Sequence, residues 1–144
     1  MFLMPIDREL ITKKLDFLNA HLFAIERMEF AEDAFVENAD IHDLVTFRLQ
    51  QAVETCIDIA AHIIAQSNFP RKETAKDAFL LLGEQKIITK ELAEKLGKAA
   101  DFRNRVVHGY NNFDFRILFR DYRDDLAQIR DFGAQILQCL DEKH

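Results

Sequence analysis

Apolar residues recur at steps of three and four along nearly the whole chain, the period of a helix buried on one face. Ile11, Leu15, Leu18, Leu22, Ile25 and Met28 keep this spacing and predict a first helix over about 7–30. Glu26, Glu29, Glu32, Asp33, Glu37, Asp40 and Asp43 then crowd together against Arg27 alone, and read as a solvated helix end and connector. A second long helix starts at Asp40 or His42 and carries Leu49, Val53, Cys56, Ile57, Ala60 and Ile64. Ser67-Asn68-Phe69-Pro70 ends it, because proline cannot continue a helix and restricts the residue before it. Thr74-Ala75-Lys76-Asp77 resembles a capping box and opens a short helix through Phe79 and Leu82 that stops near Gly83. Thr89 caps the next helix, with Leu92, Leu96, Ala99, Val106 and Val107. Gly109 and Asn111-Asn112 mark its end, since both residue types tolerate the left-handed conformation. Asp114 caps a last helix carrying Phe115, Leu118, Phe119, Tyr122, Leu126, Ile129, Phe132, Ile136 and Leu140. The expected fold is all-α: an antiparallel up-and-down bundle of four main helices plus a short one.

Composition supports this and excludes rivals. The 144 residues fit one domain spanning 1–144. Only 4 Gly and 2 Pro cannot punctuate the many short strands of a β-sandwich, and 13 Phe are too many for a disordered chain. The net charge of −6 excludes a general nucleic-acid coat protein. No apolar run is long enough for a membrane span, and the N-terminus lacks the basic region of a signal peptide, so the expected compartment is the cytoplasm. Cys56 and Cys139 lie inside helical patterns without metal-ligand spacing and read as reduced core residues.

The pattern is broken at one place. Leu92, Leu96, Ala99, Arg103, Val106 and Tyr110 form a single stripe, with an arginine in its middle. A buried unpaired guanidinium costs several kcal/mol, so Arg103 must meet a carboxylate, a phosphate or a subunit interface. Arg105 points elsewhere. His108 lies roughly 140° from Arg103 on an ideal helix. The two converge either where the helix ends at Gly109 or across a two-fold axis.

Arg103-(four residues)-His108-Gly109-Tyr110 fits R-x4-H-x-Y and resembles the HEPN superfamily, and within it the HepT toxins. The likeness extends to Leu49–Glu54 with Ile57–His62, to Asp77–Leu82, to Ile87, Ile88, Glu91 and Leu92, and to Phe102–His108, covering about residues 7–140. Gly109 is a mild departure at the variable position between His and Tyr. The resemblance implies a homodimeric helical bundle whose two motifs meet at a cleft and cleave RNA without a metal or other cofactor. It implies a partner too: a minimal nucleotidyltransferase antitoxin of the MntA type, which uses ATP to place AMP on the motif tyrosine, Tyr110. No DNA or membrane partner is expected.

The residue types suit that chemistry. RNA carries its own nucleophile, the 2′-hydroxyl beside the scissile phosphate. Histidine, with an unperturbed pKa of about 6.5, suits proton transfer and assigns that role to His108. Arginine stays charged and grips two phosphate oxygens, so Arg103 stabilises the charge that builds on phosphorus. Asn104 could orient substrate or imidazole. AMP on Tyr110 would add negative charge and bulk to a cleft built to hold phosphate.

Other clusters are weaker. Glu54, Asp58 and His62 share a face at steps of four, but no second Glu-x-x-His set accompanies them, so no metal is expected. Arg116, Arg120, Arg123 and Arg130 flank the last helix among Asp121, Asp124 and Asp125, and read first as an ion-paired solvated face. Arg105, Arg116 and Arg120 are the candidates for RNA or partner contact. The acidic residues from Glu26 to Asp43 could dock a basic patch on the antitoxin. The rival function is a non-catalytic helical module that only binds or positions the substrate of a nucleotidyltransferase.

Overall fold

The computed structural model describes residues 6–109 and 114–142, with side chains described over 6–101 and 114–142. Each long helix begins at a residue suited to hold a free amide. Asp7 accepts from the Leu10 amide at 3.0 Å and opens α1 (Arg8–Glu26). Asn38 accepts from the Asp40 amide at 2.9 Å and opens α3 (Ala39–Gln66), after the short α2 (Glu32–Glu37). Thr74 caps α4 (Ala75–Glu84) through the Asp77 amide at 3.1 Å, and Thr89 caps α5 (Lys90–Gly109) through the Leu92 amide at 3.2 Å. Asp114 accepts from the Arg116 amide at 2.9 Å and opens α6 (Phe115–Glu142).

Two helices stop the same way. After α3 the backbone turns left-handed at Asn68 (φ 60°), and the Phe69 amide reaches back to the Ile64 carbonyl at 3.1 Å. After α4 it does so at Lys86 (φ 61°), with the Ile87 amide on the Leu82 carbonyl at 2.9 Å. Both are Schellman closures without the usual glycine.

The long helices α1, α3, α5 and α6 form the expected antiparallel bundle. The Asp7 amide meets Gln66 Oε1 at 2.9 Å at one end of the α1–α3 pair, and His21 meets Arg48 nearer the other. The Thr89 amide on Gln135 Oε1 at 2.8 Å starts α5 against the far half of α6. Ion pairs Arg8–Asp141 and Arg130–Glu26 join α1 to α6, and Lys14–Asp58 joins α1 to α3. The central element is α3, which packs on the five other helices. Its buried face runs Val45, Leu49, Ala52, Val53, Cys56, Ile59, Ala60, Ile63 and Ile64. Phe35, Phe79 and Phe132 are fully buried. Each such ring contributes about 1.5–3 kcal/mol by leaving water.

Two sequence expectations need correction. The first helix ends at Glu26 rather than Phe30, closed by the Arg27 amide on the Phe23 carbonyl at 3.1 Å. The acidic stretch is not a plain connector, for it contains α2. Phe35 anchors that helix, stacking on Tyr122 (6.1 Å between centroids, 8°) and on Phe30 (5.2 Å). The acids of α2 stay outside while its aromatic ring enters the core. No described helix is long and apolar enough to cross a membrane.

Candidate functional site

The register of α5 sets up the motif. Leu92, Leu96 and Ala99 are buried, as the apolar stripe predicts. Arg103, Asn104, Arg105 and His108 follow on the backbone of the same helix, which runs to Gly109. The side chains of these four, and Tyr110 altogether, lie outside the described residues. Arg103 therefore continues the register of a stripe that is buried one turn earlier.

The surroundings of that end are described. Residues 110–114 alone join the last residue of α5 to Phe115. Phe115 stacks on His42, with centroids 3.7 Å apart and planes at 17°. His42 Nδ1 donates to the Phe35 carbonyl at 2.8 Å. Phe119 lies 5.5 Å from Phe35 and 6.1 Å from Phe30. The start of α3, the whole of α2 and the start of α6 thus meet in one aromatic cluster, at the end of the bundle where α5 finishes. Sequence reasoning missed it: His42 and Phe115 are far apart in the chain, and neither pattern nor spacing links them.

Arg116, Arg120 and Arg130 of α6 are ion-paired, as their first reading had it, but two take partners from other helices. Arg116 faces Glu32 at 3.6 Å and Asp33 at 3.7 Å on α2, and Arg130 pairs with Glu26 of α1. Arg120 is held bidentately by Asp121 at 2.9 and 3.1 Å, which raises the guanidinium pKa further. Arg123 lies 5.5 Å over the Tyr122 ring. Part of the acidic stretch is therefore engaged within the chain.

On α3, Asp58 pairs with Lys14 and lies 3.8 Å from His62 Nε2. No group of residues able to hold a metal occurs among the described residues. Cys56 and Cys139 are buried, and burial pushes the Cys56 thiol far up, where it is inert. His21 is buried with Nδ1 3.2 Å from Arg48 Nη1. Desolvation and the guanidinium hold its pKa below the usual 6.5.

The family model for HepT-like ribonucleases matches residues 18–136. The chain belongs to that family. An mRNA nuclease HepT from Shewanella oneidensis is 27% identical over 124 residues, covering 86% of this chain and 93% of the relative. A tRNA nuclease HepT from Aphanizomenon flos-aquae is 30% identical over 137 residues, covering 94% of this chain and 92% of its own. Among solved structures, a tri-AMPylated Shewanella oneidensis HEPN toxin in complex with an MNT antitoxin superposes with a TM-score of 0.84. It is 27% identical, over 91% of this chain and 98% of that one. As a HepT-like ribonuclease, the chain has RNA cleavage as its chemistry, and its helical fold is that of the HEPN toxins.

Proposed function

We infer that this chain is the ribonuclease toxin of a toxin–antitoxin pair, acting in the cytoplasm as a homodimer whose two motif segments face one cleft. The observation that carries this is the continuation of α5 as a helix from its buried stripe through Arg103 to His108. His108 moves the proton: it takes it from the 2′-hydroxyl in one protomer or returns it to the departing 5′-oxygen in the other. Arg103 neutralises the charge that grows on the non-bridging phosphate oxygens. Asn104 orients the imidazole or the substrate. The attacking oxygen belongs to the RNA and the cation to the protein, so the scheme needs no metal.

Control falls to a nucleotidyltransferase partner. Its chemistry joins the Tyr110 oxygen to the α-phosphorus of ATP, releases pyrophosphate and leaves a phosphodiester that repels RNA. Arg105, Arg116 and Arg120 are the candidates for contact with RNA or partner. Arg116 and Arg120 already have carboxylate neighbours, so RNA would have to displace Glu32, Asp33 or Asp121 from them.

The test is cleavage of bulk transfer RNA and of a defined messenger transcript in the presence of a chelator. The wild type cuts at least one of them. Arg103→Ala and His108→Ala each lose about 10²–10⁴ in rate. Full activity in both variants, or loss of wild-type activity on chelation, overturns the scheme. Mass spectrometry after incubation with the cognate transferase and ATP reads AMP on Tyr110, and its absence there removes the proposed control.

A further inference from the structure

Arg48 carries a charge that the described part of its own chain does not neutralise. It sits half-buried between α3 and α1, where its Nη1 donates to His21 Nδ1 at 3.2 Å. A guanidinium has no acceptor atom, so this bond holds the imidazole neutral with its proton on Nε2. That Nε2–H and the Arg48 Nε–H are both buried without a hydrogen-bond partner. Among the described residues no carboxylate pairs with Arg48. A half-buried cation without an acid is costly unless a carboxylate reaches it from outside the chain.

The surface beside it is apolar. Phe17 lies edge-on to the His21 ring, with centroids 4.6 Å apart, yet is 55% exposed. Leu44 and Phe47, on the turn of α3 before Arg48, are 42% and 52% exposed. A lone exposed apolar side chain is ordinary, but three within a turn of one unpaired guanidinium mark a contact surface. The acid that fits is on the same helix. Asp40 stands one turn before Leu44 and Arg48 one turn after it, about 40° to either side. Asp40 is exposed, and no ion pair holds it among the described residues. Two helical turns, about 12 Å, keep it from Arg48 of its own chain. A two-fold axis beside Leu44 removes that separation: it sets a second α3 antiparallel on the first and Leu44 on its own copy. Asp40 of each protomer then stands opposite Arg48 of the partner subunit, two pairs from one symmetry operation.

We propose that this α1–α3 face joins the two copies of the homodimer, α3 antiparallel on α3 about Leu44, with reciprocal Asp40–Arg48 pairs. The inference rests on the homodimer of the proposed function and names the surface that forms it. Phe17 and Phe47 are covered in that contact, and the Arg48 charge gains the acid its own chain does not supply.

Sedimentation velocity over a concentration series tests it, on variants shown to be folded by circular dichroism. The wild type should sediment as a dimer. Asp40→Arg and Arg48→Asp each set like charges opposite one another at two places, and each should weaken the dimer at least about tenfold. Asp40 is exposed, so Asp40→Arg reads the contact without touching the core. Phe47→Ser, which removes an apolar anchor, should weaken it about tenfold. The double variant Asp40→Arg/Arg48→Asp should regain the wild-type dimer. An equimolar mixture of the two single variants should do so too, because every Arg then faces an Asp across the axis. A dimer unchanged in both single variants, no recovery in the double variant or the mixture, or a monomeric wild type overturns the inference. An intact dimer of Arg48→Asp that no longer binds the cognate transferase assigns the face to that partner and overturns it as well. Failure of the ribonuclease reading is separate, because then Arg103→Ala and His108→Ala keep wild-type cleavage of bulk transfer RNA whatever the sedimentation shows.

Discussion

The seam between α4 and α5 sets how the motif helix lies, and Gly83 is its closest point. A Cβ built at Gly83 would sit 2.8 Å from Ala93 Cβ and 3.5 Å from the Lys90 Cα. Carbon atoms prefer about 3.5–4.0 Å, so alanine here falls roughly 1 Å short against a methyl and a backbone that have no rotamer to escape into. Glycine in a helix interior gives up about 1 kcal/mol of intrinsic propensity relative to alanine. Forcing an extra methyl into a packed seam costs about 1–3 kcal/mol. The clash therefore wins, and Gly83→Ala should destabilise the protein by about 1 kcal/mol net. Gly133 provides the opposite case on α6. Its Cβ would lie 3.6 and 3.7 Å from the Leu15 and Leu18 Cδ2 atoms, ordinary contact. Gly133→Ala should stabilise by about 0.5–1 kcal/mol. Urea unfolding followed by circular dichroism reads both as shifts of the midpoint at constant slope. Adding Ala93→Gly to Gly83→Ala removes the clashing partner and should show a favourable coupling of at least about 0.5 kcal/mol. Stabilisation by Gly83→Ala, or no coupling to Ala93, would refute the steric account of this seam.

Other outcomes follow from single sites. Lys86 holds a left-handed backbone conformation without being glycine, so Lys86→Gly should gain about 1 kcal/mol, read as a rise in the urea midpoint; a fall refutes the strain argument. His21 binds its proton less readily folded than unfolded, because burial and Arg48 both disfavour its charge. The unfolded chain therefore takes up more protons as pH falls through about 6.5, and stability should fall with it. His21→Gln should flatten that limb by at most about 1.4 kcal/mol per pH unit, and an unchanged slope would show that other groups carry it. Buried Cys56, with its thiol pKa pushed up, should resist an aromatic disulfide reagent in the native protein and react only on unfolding. Labelling of Cys56 under native conditions would contradict its burial.

Much of this molecule was legible before any coordinate. Helical periodicity, the caps at Thr74, Thr89 and Asp114, and the break at Asn68-Phe69-Pro70 are local features, because a helix is made from contacts within one or two turns. The motif was legible for the same reason: an arginine inside an apolar stripe violates a local rule whatever surrounds it. α2 was hidden because its short helix is dominated by acids, and its anchor is Phe35, buried against residues of α6. The partners of Arg116 and Arg130 were hidden as well. Local acids on α6 suggested one set, and the packing of α1 and α2 supplied another. The sequence by itself determined the long helices and their order, and it supplied the family resemblance on which the proposed chemistry rests. Tertiary structure alone decided that His42, Phe35 and Phe115 close on one another, since such contacts depend on how separate helices are set side by side.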